Sequence, residues 1–171
     1  MKKQDAELNW DDINNLALEL SASGGPGSKA WDMKGSHTER VNDAVMASLR
    51  ENNGKLQGQL KDVPGLIITT TGAKTGQKRT LPLAYQEIDG RLVIIASMGG
   101  SPRNPPWFHN LLKDPRLVVE KDGESFEARA VITEGEDRNR LFQTVCDNLP
   151  VFATYQARTE RVIPVVELIR Q

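Results

Sequence analysis

The chain has 171 residues, a length typical of one domain that buries its own core without disulfides. Its 22 Lys and Arg residues nearly balance 23 Asp and Glu residues, and the formal charge of −1 argues against a general nucleic-acid-binding protein. The single cysteine, Cys146, excludes an intramolecular disulfide, and together with two widely separated histidines it indicates that there is no metal centre.

The N-terminal segment predicts a short amphipathic helix followed by a break. Within residues 1–23, apolar side chains recur at helical spacing: Ile13, Leu16, Ala17 and Leu20. The sequence GGPGS at 24–28 cannot continue a helix or strand. We therefore interpret residues 1–36 as an N-terminal helix and Gly-rich arm, and residues 37–171 as the main domain. The helix packs on that domain or serves as a lid, a partner-binding helix or a peripheral membrane contact, although its acidic side chains disfavour an anionic membrane.

The N-terminus is too polar and too acidic for a signal peptide, and no stretch approaches the roughly 18 apolar residues of a membrane-spanning helix. The expected compartment is therefore the cytoplasm. Composition alone leaves both a monomer and a homodimer open.

Strands dominate the chain after a second predicted helix, which covers residues 37–52. Runs rich in β-branched residues predict six strands, at 66–71, 78–88, 92–97, 117–120, 126–131 and 162–169. Asp89-Gly90 and Asp122-Gly123 each separate two of these runs and are strong hairpin signals, so the sheet should be antiparallel. Pro82 indicates an edge or a bulge in the second strand.

Helices are predicted to interrupt these strands twice, over residues 105–112 and 136–147. Phe152 and Tyr155 share a helix face if residues 151–158 are also helical. There is no regular alternation of strand and helix, so a doubly wound nucleotide-binding fold is disfavoured. The predicted fold class is α+β, with a six-stranded antiparallel, barrel-like sheet and flanking helices.

The sharpest local motif is TGAKTGQKR at residues 71–79. Two glycines four positions apart permit positive φ and can leave backbone N–H groups open to an anion. Three cations, Lys74, Lys78 and Arg79, lie close by. The spacing does not match a Walker A loop. A phosphate clamp and a solvated basic hairpin loop both remain open as interpretations.

A second motif, ASMGGSP at residues 96–102, follows a strand and precedes a helix. Its glycines would let the backbone approach a flat ligand closely, although a plain turn has the same composition. In the following helix, Trp107 and Phe108 are more typical of a core, and His109 of a structural histidine. Since no covalent nucleophile is paired with a base, an enzyme of this sequence would depend on a bound cofactor.

Three blocks in this order resemble the deazaflavin-dependent nitroreductase family over roughly residues 38–171. They are PGLIITTTGAKTGQKRTLPL at 64–83, VIIASMGGSPRNPPWFHNLLKDPRLVVE at 93–120 and YQARTERVIPVVEL at 155–168. The resemblance implies a six-stranded split β-barrel of the kind that binds FMN. It also implies coenzyme F420, a deazaflavin with a phosphate and a polyglutamate tail. The implied reaction is hydride transfer to a quinone, a nitro compound or an activated enone.

The resemblance also implies which residues form the site. Lys74 and Arg79 match basic positions near the cofactor phosphate and tail, whereas Tyr155 matches a tyrosine on the substrate side of the ring. Tyr155 and Ser97 are the catalytic candidates. The implied cofactor-binding positions are Lys74, Thr75, Arg79, Ala96, Ser97, Met98, Gly99, Gly100, Trp107 and Asn110.

The sequence departs from the family pattern in two ways. Met98 and Ala73 stand where the family often has a cation, which removes positive charge from the path of an acidic tail and weakens its binding. Phe152 and Leu149 replace tyrosines before Tyr155, which changes what the pocket can polarise or protonate. Two alternatives remain open beside an F420H2-dependent reductase: an FMN-dependent oxidoreductase on the same fold, and a non-catalytic F420-binding carrier.

Overall fold

A computed structural model describes residues 36–54 and 64–171 of the chain. The strands are β1 (Gly65–Thr71), β2 (Lys78–Ile88), β3 (Arg91–Ile95), β4 (Arg116–Lys121), β5 (Glu124–Ile132) and β6 (Val165–Arg170). The helices of the described residues are α1 (Ser36–Glu51), α2 (Pro106–Lys113), α3 (Gly135–Asn148) and α4 (Val151–Ala157). The helix and the Gly-rich break predicted before residue 36 lie outside the described residues.

The six strands form a closed antiparallel barrel in the order β1-β2-β3-β6-β5-β4, which confirms the predicted fold class. Both predicted hairpins are present. Asp89 and Gly90 have φ of 52° and 76°, and Asp122 and Gly123 have φ of 52° and 78°. Two successive positive φ angles are the signature of the type I′ turn, whose twist matches that of the flanking strands.

Pro82 lies where β2 has a single neighbour. It pairs with Ile67 of β1, whereas β3 pairs with β2 only from Tyr85 onward. Proline has no N–H to donate, so it is tolerated beside an unpaired strand edge. Of the two possibilities that the sequence left open here, an edge and a bulge, the described strands show the edge.

Two predicted strands are shorter at one end than the sequence indicates. The third strand ends at Ile95 rather than at residue 97, and the last begins at Val165 rather than at residue 162. In the second case side chains replace the ladder partners, because the Ile163 N–H donates to Gln156 and the Ile163 carbonyl accepts from Arg138. Side-chain hydrogen bonds of this kind compete with regular secondary structure.

Apolar side chains form two main clusters. The barrel interior contains Leu66, Ile68, Ile94 and Val119, and α2 adds Trp107, Phe108 and Leu111 to it. The second cluster lies between the sheet and α3 and α4; it is formed by Ile88, Val93, Leu141, Phe142, Val145, Tyr155, Ile163 and Val165. Helix α1 packs separately on the outer face of β1, through Met46 and Leu49 against Ile67. No helix of the described residues is long and apolar enough to cross a membrane.

Candidate functional site

Helix α2 holds the glycine-flanked loop between β1 and β2 through hydrogen bonds to the backbone N–H and the backbone carbonyl of Ala73. The Asn110 side-chain oxygen accepts a hydrogen bond from the Ala73 N–H at 2.9 Å, and Lys113 Nζ donates to the Ala73 carbonyl at 2.8 Å. Asn110 Nδ2 also donates to Thr70 Oγ1 at 3.1 Å. Asn110 and Lys113 are three positions apart and therefore share a helix face. Asn110 was predicted from the resemblance, whereas no sequence signal singled out Lys113.

The loop uses most of its own N–H groups internally. The Gly72 N–H donates to the Gln77 carbonyl, the Gly76 N–H to the Gly72 carbonyl, and the Gln77 N–H to Thr75 Oγ1. Among the described residues, no acceptor binds the N–H groups of Lys74 and Thr75. An anion at this loop would therefore find two backbone donors beside the exposed Lys74 side chain.

A cleft of about 410 Å³ opens at this loop and is strongly cationic. Its lining residues are Thr71, Gly72, Ala73, Lys74, Gly76, Lys113, Asp114 and Arg116. Asp114 is the single carboxylate of this lining. Arg116 Nε and Nη2 donate to its two oxygens at 2.9 and 3.0 Å, and these hydrogen bonds lower the pKa of Asp114 to about 2. Lys74 and Lys113 remain uncompensated by a carboxylate within the described residues. This donor set fits a phosphate or a carboxylate-rich tail.

Arg79 and Lys78 point to opposite faces of the sheet, although they are adjacent in sequence. Arg79 pairs with Thr70, whose hydroxyl contacts Asn110, so Arg79 lies on the α2 side. Lys78 pairs with Thr71 and donates to its Oγ1 at 2.9 Å on the other face. The three cations of the motif therefore do not form one cluster: Lys74 lines the cleft, Lys78 contacts Thr71 of its lining, and Arg79 lies on the other face of β2.

The second predicted segment, which we call the Ala96–Asn104 loop, contains a 3-10 turn with three successive positive φ angles. They are 44° at Met98, 63° at Gly99 and 83° at Gly100. A positive φ is strained for methionine, and such strain concentrates at functional sites. The Met98 side chain is also 39% exposed. The Ser97 hydroxyl has no hydrogen bond to the described residues and is available to a ligand.

Gly100 contacts α4 rather than an open ligand face. A Cβ at this position would lie 2.6 Å from the Tyr155 carbonyl oxygen and 3.1 Å from the Tyr155 Cα. The α4 backbone is thus packed directly against the turn. Packing against α4 therefore requires glycine here, independently of the close approach to a flat ring that the sequence suggested.

Tyr155 lies beside this turn, but its ring belongs to the apolar cluster under α4. The side chain is 7% exposed and meets Phe152 edge-to-face, with ring centroids 5.6 Å apart. The Arg158 guanidinium lies 5.8 Å from the Tyr155 ring centroid, and its Nη1 is 3.4 Å from the Gly99 carbonyl oxygen. Trp107, also predicted as a site residue, is 5% exposed in the barrel interior.

Arg161 binds the Ala96–Asn104 loop and was not among the site residues predicted from the sequence. Its guanidinium donates to the carbonyls of Ala96, Ser97 and Ser101 and to the Asn104 side-chain oxygen. Burial lowers the pKa of this guanidinium from its ordinary value. Arg161 lies within the third block of the resemblance, but no spacing rule distinguishes it from the arginine three positions earlier.

The predicted site residues therefore fall at the two ends of α2. The Ala96–Asn104 loop leads into its first turn. Its last turn carries Asn110 and Lys113, whose two hydrogen bonds to Ala73 we call the Ala73 clamp. Eight helical residues span about 12 Å. An elongated ligand with an aromatic ring at one end and anionic groups at the other would match this separation.

Asn110→Ala is expected to lower the free energy of unfolding by about 1–3 kcal/mol, because it leaves two polar groups without their partner. The affected groups are the buried Thr70 hydroxyl and the Ala73 N–H. Urea denaturation measures this change. His109→Ala is the matched control, since His109 is the exposed neighbour on the same helix and should change stability by less than about 0.5 kcal/mol. Equal losses in the two variants would contradict the clamp.

Comparison with known proteins gives a consistent result. The model of a protein family described as F420H(2)-dependent quinone reductase matches residues 40–169. A Mycobacterium tuberculosis protein named F420H(2)-dependent quinone reductase Rv1261c is 38% identical over 136 residues, which cover 77% of this chain and 89% of that protein.

Solved structures agree with this match. One, described as an F420-H2 dependent reductase (FDR-A), is 36% identical with a TM-score of 0.56, and the match covers 61% of this chain and 93% of that one. Another, described as a domain-swapped dimer, is 33% identical with a TM-score of 0.58, and the match covers 78% of this chain and 99% of that one.

Proposed function

We propose, from the premise that this chain belongs to the F420H(2)-dependent quinone reductase family, that it reduces a quinone at the Ala96–Asn104 loop. The chain is an F420H2-dependent oxidoreductase and its cofactor is coenzyme F420. When bound, reduced F420 supplies a hydride to an electron-poor acceptor. The family match favours F420 over FMN and favours an enzyme over a carrier.

The observation that carries the proposal is the cationic cleft at the β1–β2 loop. Lys74 would bind the phosphate or the acidic tail in this cleft, with the N–H groups of Lys74 and Thr75 as further donors. Arg79, which lies outside the cleft lining on the α2 side of β2, would bind the part of the tail that extends beyond the cleft. Asn110 and Lys113 act on the same group indirectly, because they fix the Ala73 peptide from both sides. The residues of the cleft therefore fit the anionic end of the cofactor.

At the other end of α2, the proposed roles belong to the turn and to α4. Met98 and the Ser97 hydroxyl are the accessible groups of the turn and would face the ring. Tyr155 would donate a hydrogen bond to the acceptor oxygen as negative charge develops there. Reduction of a quinone requires a proton in addition to the hydride, and no His–carboxylate pair among the predicted site residues supplies one.

We also propose residues 37–171 as the cofactor-binding domain, with residues 1–36 as an appended arm. The start of the family match at residue 40 supports this division.

Among the two oligomeric states left open by the sequence, the related domain-swapped dimer favours a homodimer. Light scattering of the full chain distinguishes the two states.

Arg79→Ala is expected to raise the Kd for F420 about five- to thirtyfold, the loss of one charge-assisted hydrogen bond. The effect should shrink as salt is added, because exposed charges are screened. Arg140→Ala is the matched control: it removes an exposed arginine at the Asp89 turn, at the other end of β2, and should change the Kd by less than about threefold. Fluorescence titration of F420 measures both. Equal effects would mean that net charge, and not Arg79 itself, binds the cofactor.

The function itself is tested by anaerobic steady-state oxidation of F420H2 with menadione as the quinone, followed by the return of deazaflavin absorbance. A nitroaromatic compound and a cyclic enone serve as comparison acceptors, and FMNH2 as the comparison donor. Turnover with F420H2 and menadione supports the proposal. Tight F420 binding without turnover of any acceptor would indicate a carrier, and turnover with FMNH2 alone would overturn the cofactor assignment.

A further inference from the structure

We propose that Arg161 is a positioning residue that holds the Ala96–Asn104 loop in its ligand-binding shape and ties that loop to α4. This inference rests on the proposed function, because it concerns the loop at which the cofactor ring would bind. Arg161 itself makes no proposed contact with the cofactor or the acceptor.

The first observation is the number of loop oxygens that one guanidinium binds. Arg161 Nε donates to the Ser101 carbonyl at 2.7 Å, and Nη2 to the Ser97 carbonyl at 2.8 Å. Nη1 donates to the Ala96 carbonyl at 3.1 Å and to Asn104 Oδ1 at 2.7 Å. A guanidinium is planar and its donors have fixed directions. These four bonds therefore fix the position of Ala96 and Ser97, at the start of the loop, relative to Ser101 and Asn104, at its end.

The second observation is that the loop oxygens are the partners of this charge. Arg161 is partly buried, and no carboxylate of the described residues lies within ion-pair distance of it. A partly buried cation needs compensating dipoles, which here are three loop carbonyls and one amide oxygen. Opening of the loop therefore breaks four hydrogen bonds to this cation at once.

The third observation is that the Arg161 backbone is anchored to α4. Gln156 Nε2 donates to the Arg161 carbonyl at 2.7 Å, and Gln156 Oε1 accepts from the Ile163 N–H at 3.0 Å. Gln156 is the neighbour of Tyr155 on α4. A single hydrogen-bonded chain thus runs from the helix that carries the proposed proton-donating tyrosine to the turn that contains Ser97.

Arg138 provides a matched control within the same fold. It is buried, donates to the Ile163 carbonyl at 2.7 Å and to Gln156 Oε1 at 3.2 Å, and has no carboxylate partner among the described residues. Its side chain does not bond to the Ala96–Asn104 loop. Replacement of Arg138 should therefore cost stability and loosen Gln156, but it leaves all four bonds between the Arg161 guanidinium and the loop in place.

The experiment compares Arg161→Met, Arg161→Lys and Arg138→Met in the full chain. Trypsin cleavage after Arg103, identified by fragment mass in the ligand-free protein, reports opening of the loop. We expect cleavage at Arg103 to be about tenfold or more faster in Arg161→Met and about threefold faster in Arg161→Lys, with no change in Arg138→Met. The Kd for F420, measured by fluorescence, should rise in the same order, although Tm falls in both methionine variants.

Cleavage at the wild-type rate in Arg161→Met would overturn the proposal, because the loop would then keep its shape without Arg161. Equal acceleration in Arg138→Met would also overturn it, because the effect would then be general destabilisation. If Arg161→Met does not fold, Arg161→Lys decides: faster cleavage supports positioning, and an unchanged rate overturns it. The proteolysis requires no cofactor. Failure of the wild-type protein to bind F420 would therefore count against the proposed function and not against the role of Arg161.

Discussion

Gly100→Ala is expected to lower the free energy of unfolding by about 3 kcal/mol, the largest stability effect that we predict. Two penalties combine. A φ of +83° costs an alanine about 1–2 kcal/mol, and the added Cβ would lie 2.6 Å from the Tyr155 carbonyl oxygen. That neighbour is backbone and cannot rotate away, so α4 or the turn must shift, at a further cost of about 1–3 kcal/mol.

Thermal unfolding measures this effect as a Tm about 6–12 °C lower, given the usual scaling for a chain of this size. Gly90→Ala is the matched control, because Gly90 has a φ of +76° and no atom within 4 Å of the added Cβ. It should show the backbone penalty alone. The Kd for F420 should rise in Gly100→Ala and stay unchanged in Gly90→Ala. Equal Tm losses in the two variants would refute the close contact between the turn and α4.

Tyr155→Phe is expected to lower kcat about ten- to a thousandfold while the Kd for F420 stays near the wild-type value. The substitution keeps the ring in its apolar cluster and deletes the hydroxyl alone. A tyrosine phenol is ordinarily protonated at neutral pH, so it can donate a hydrogen bond where an acceptor oxygen gains charge. Loss of an interaction made mainly in the transition state lowers kcat and kcat/KM together.

Tyr85→Phe is the control, since Tyr85 is the other tyrosine of the chain and its ring lies 5.2 Å from Lys121 Nζ on β4. It removes the same hydroxyl from a different environment and should leave kcat within about twofold. Stopped-flow and steady-state measurements with several quinones separate kcat from KM. An unchanged kcat in Tyr155→Phe, together with a lower Tm, would make Tyr155 a packing residue and leave the proton to solvent.

The site residues differ in how far the sequence could predict their roles. Lys74 and Arg79 were identifiable, because a glycine-flanked loop with cations is a local pattern. Asn110 was assigned to the cofactor by resemblance, yet both ends of its amide bind protein groups, Thr70 and Ala73. No sequence signal identified Lys113 or Arg161, because nothing in the sequence distinguishes either residue from the other lysines and arginines of the chain.

The sequence by itself determined the antiparallel hairpins and the order of the strands along the chain, and it limited Pro82 to an edge or a bulge. These features depend on φ preferences and side-chain alternation within a few residues, which are intrinsic to the residues concerned. Only the tertiary structure decided which groups Asn110, Arg161 and Gly100 contact. Asn110 meets Ala73 across 37 positions and Arg161 meets Ser97 across 64. Contacts of that separation are set by how the closed barrel and its helices pack, and no local preference encodes them.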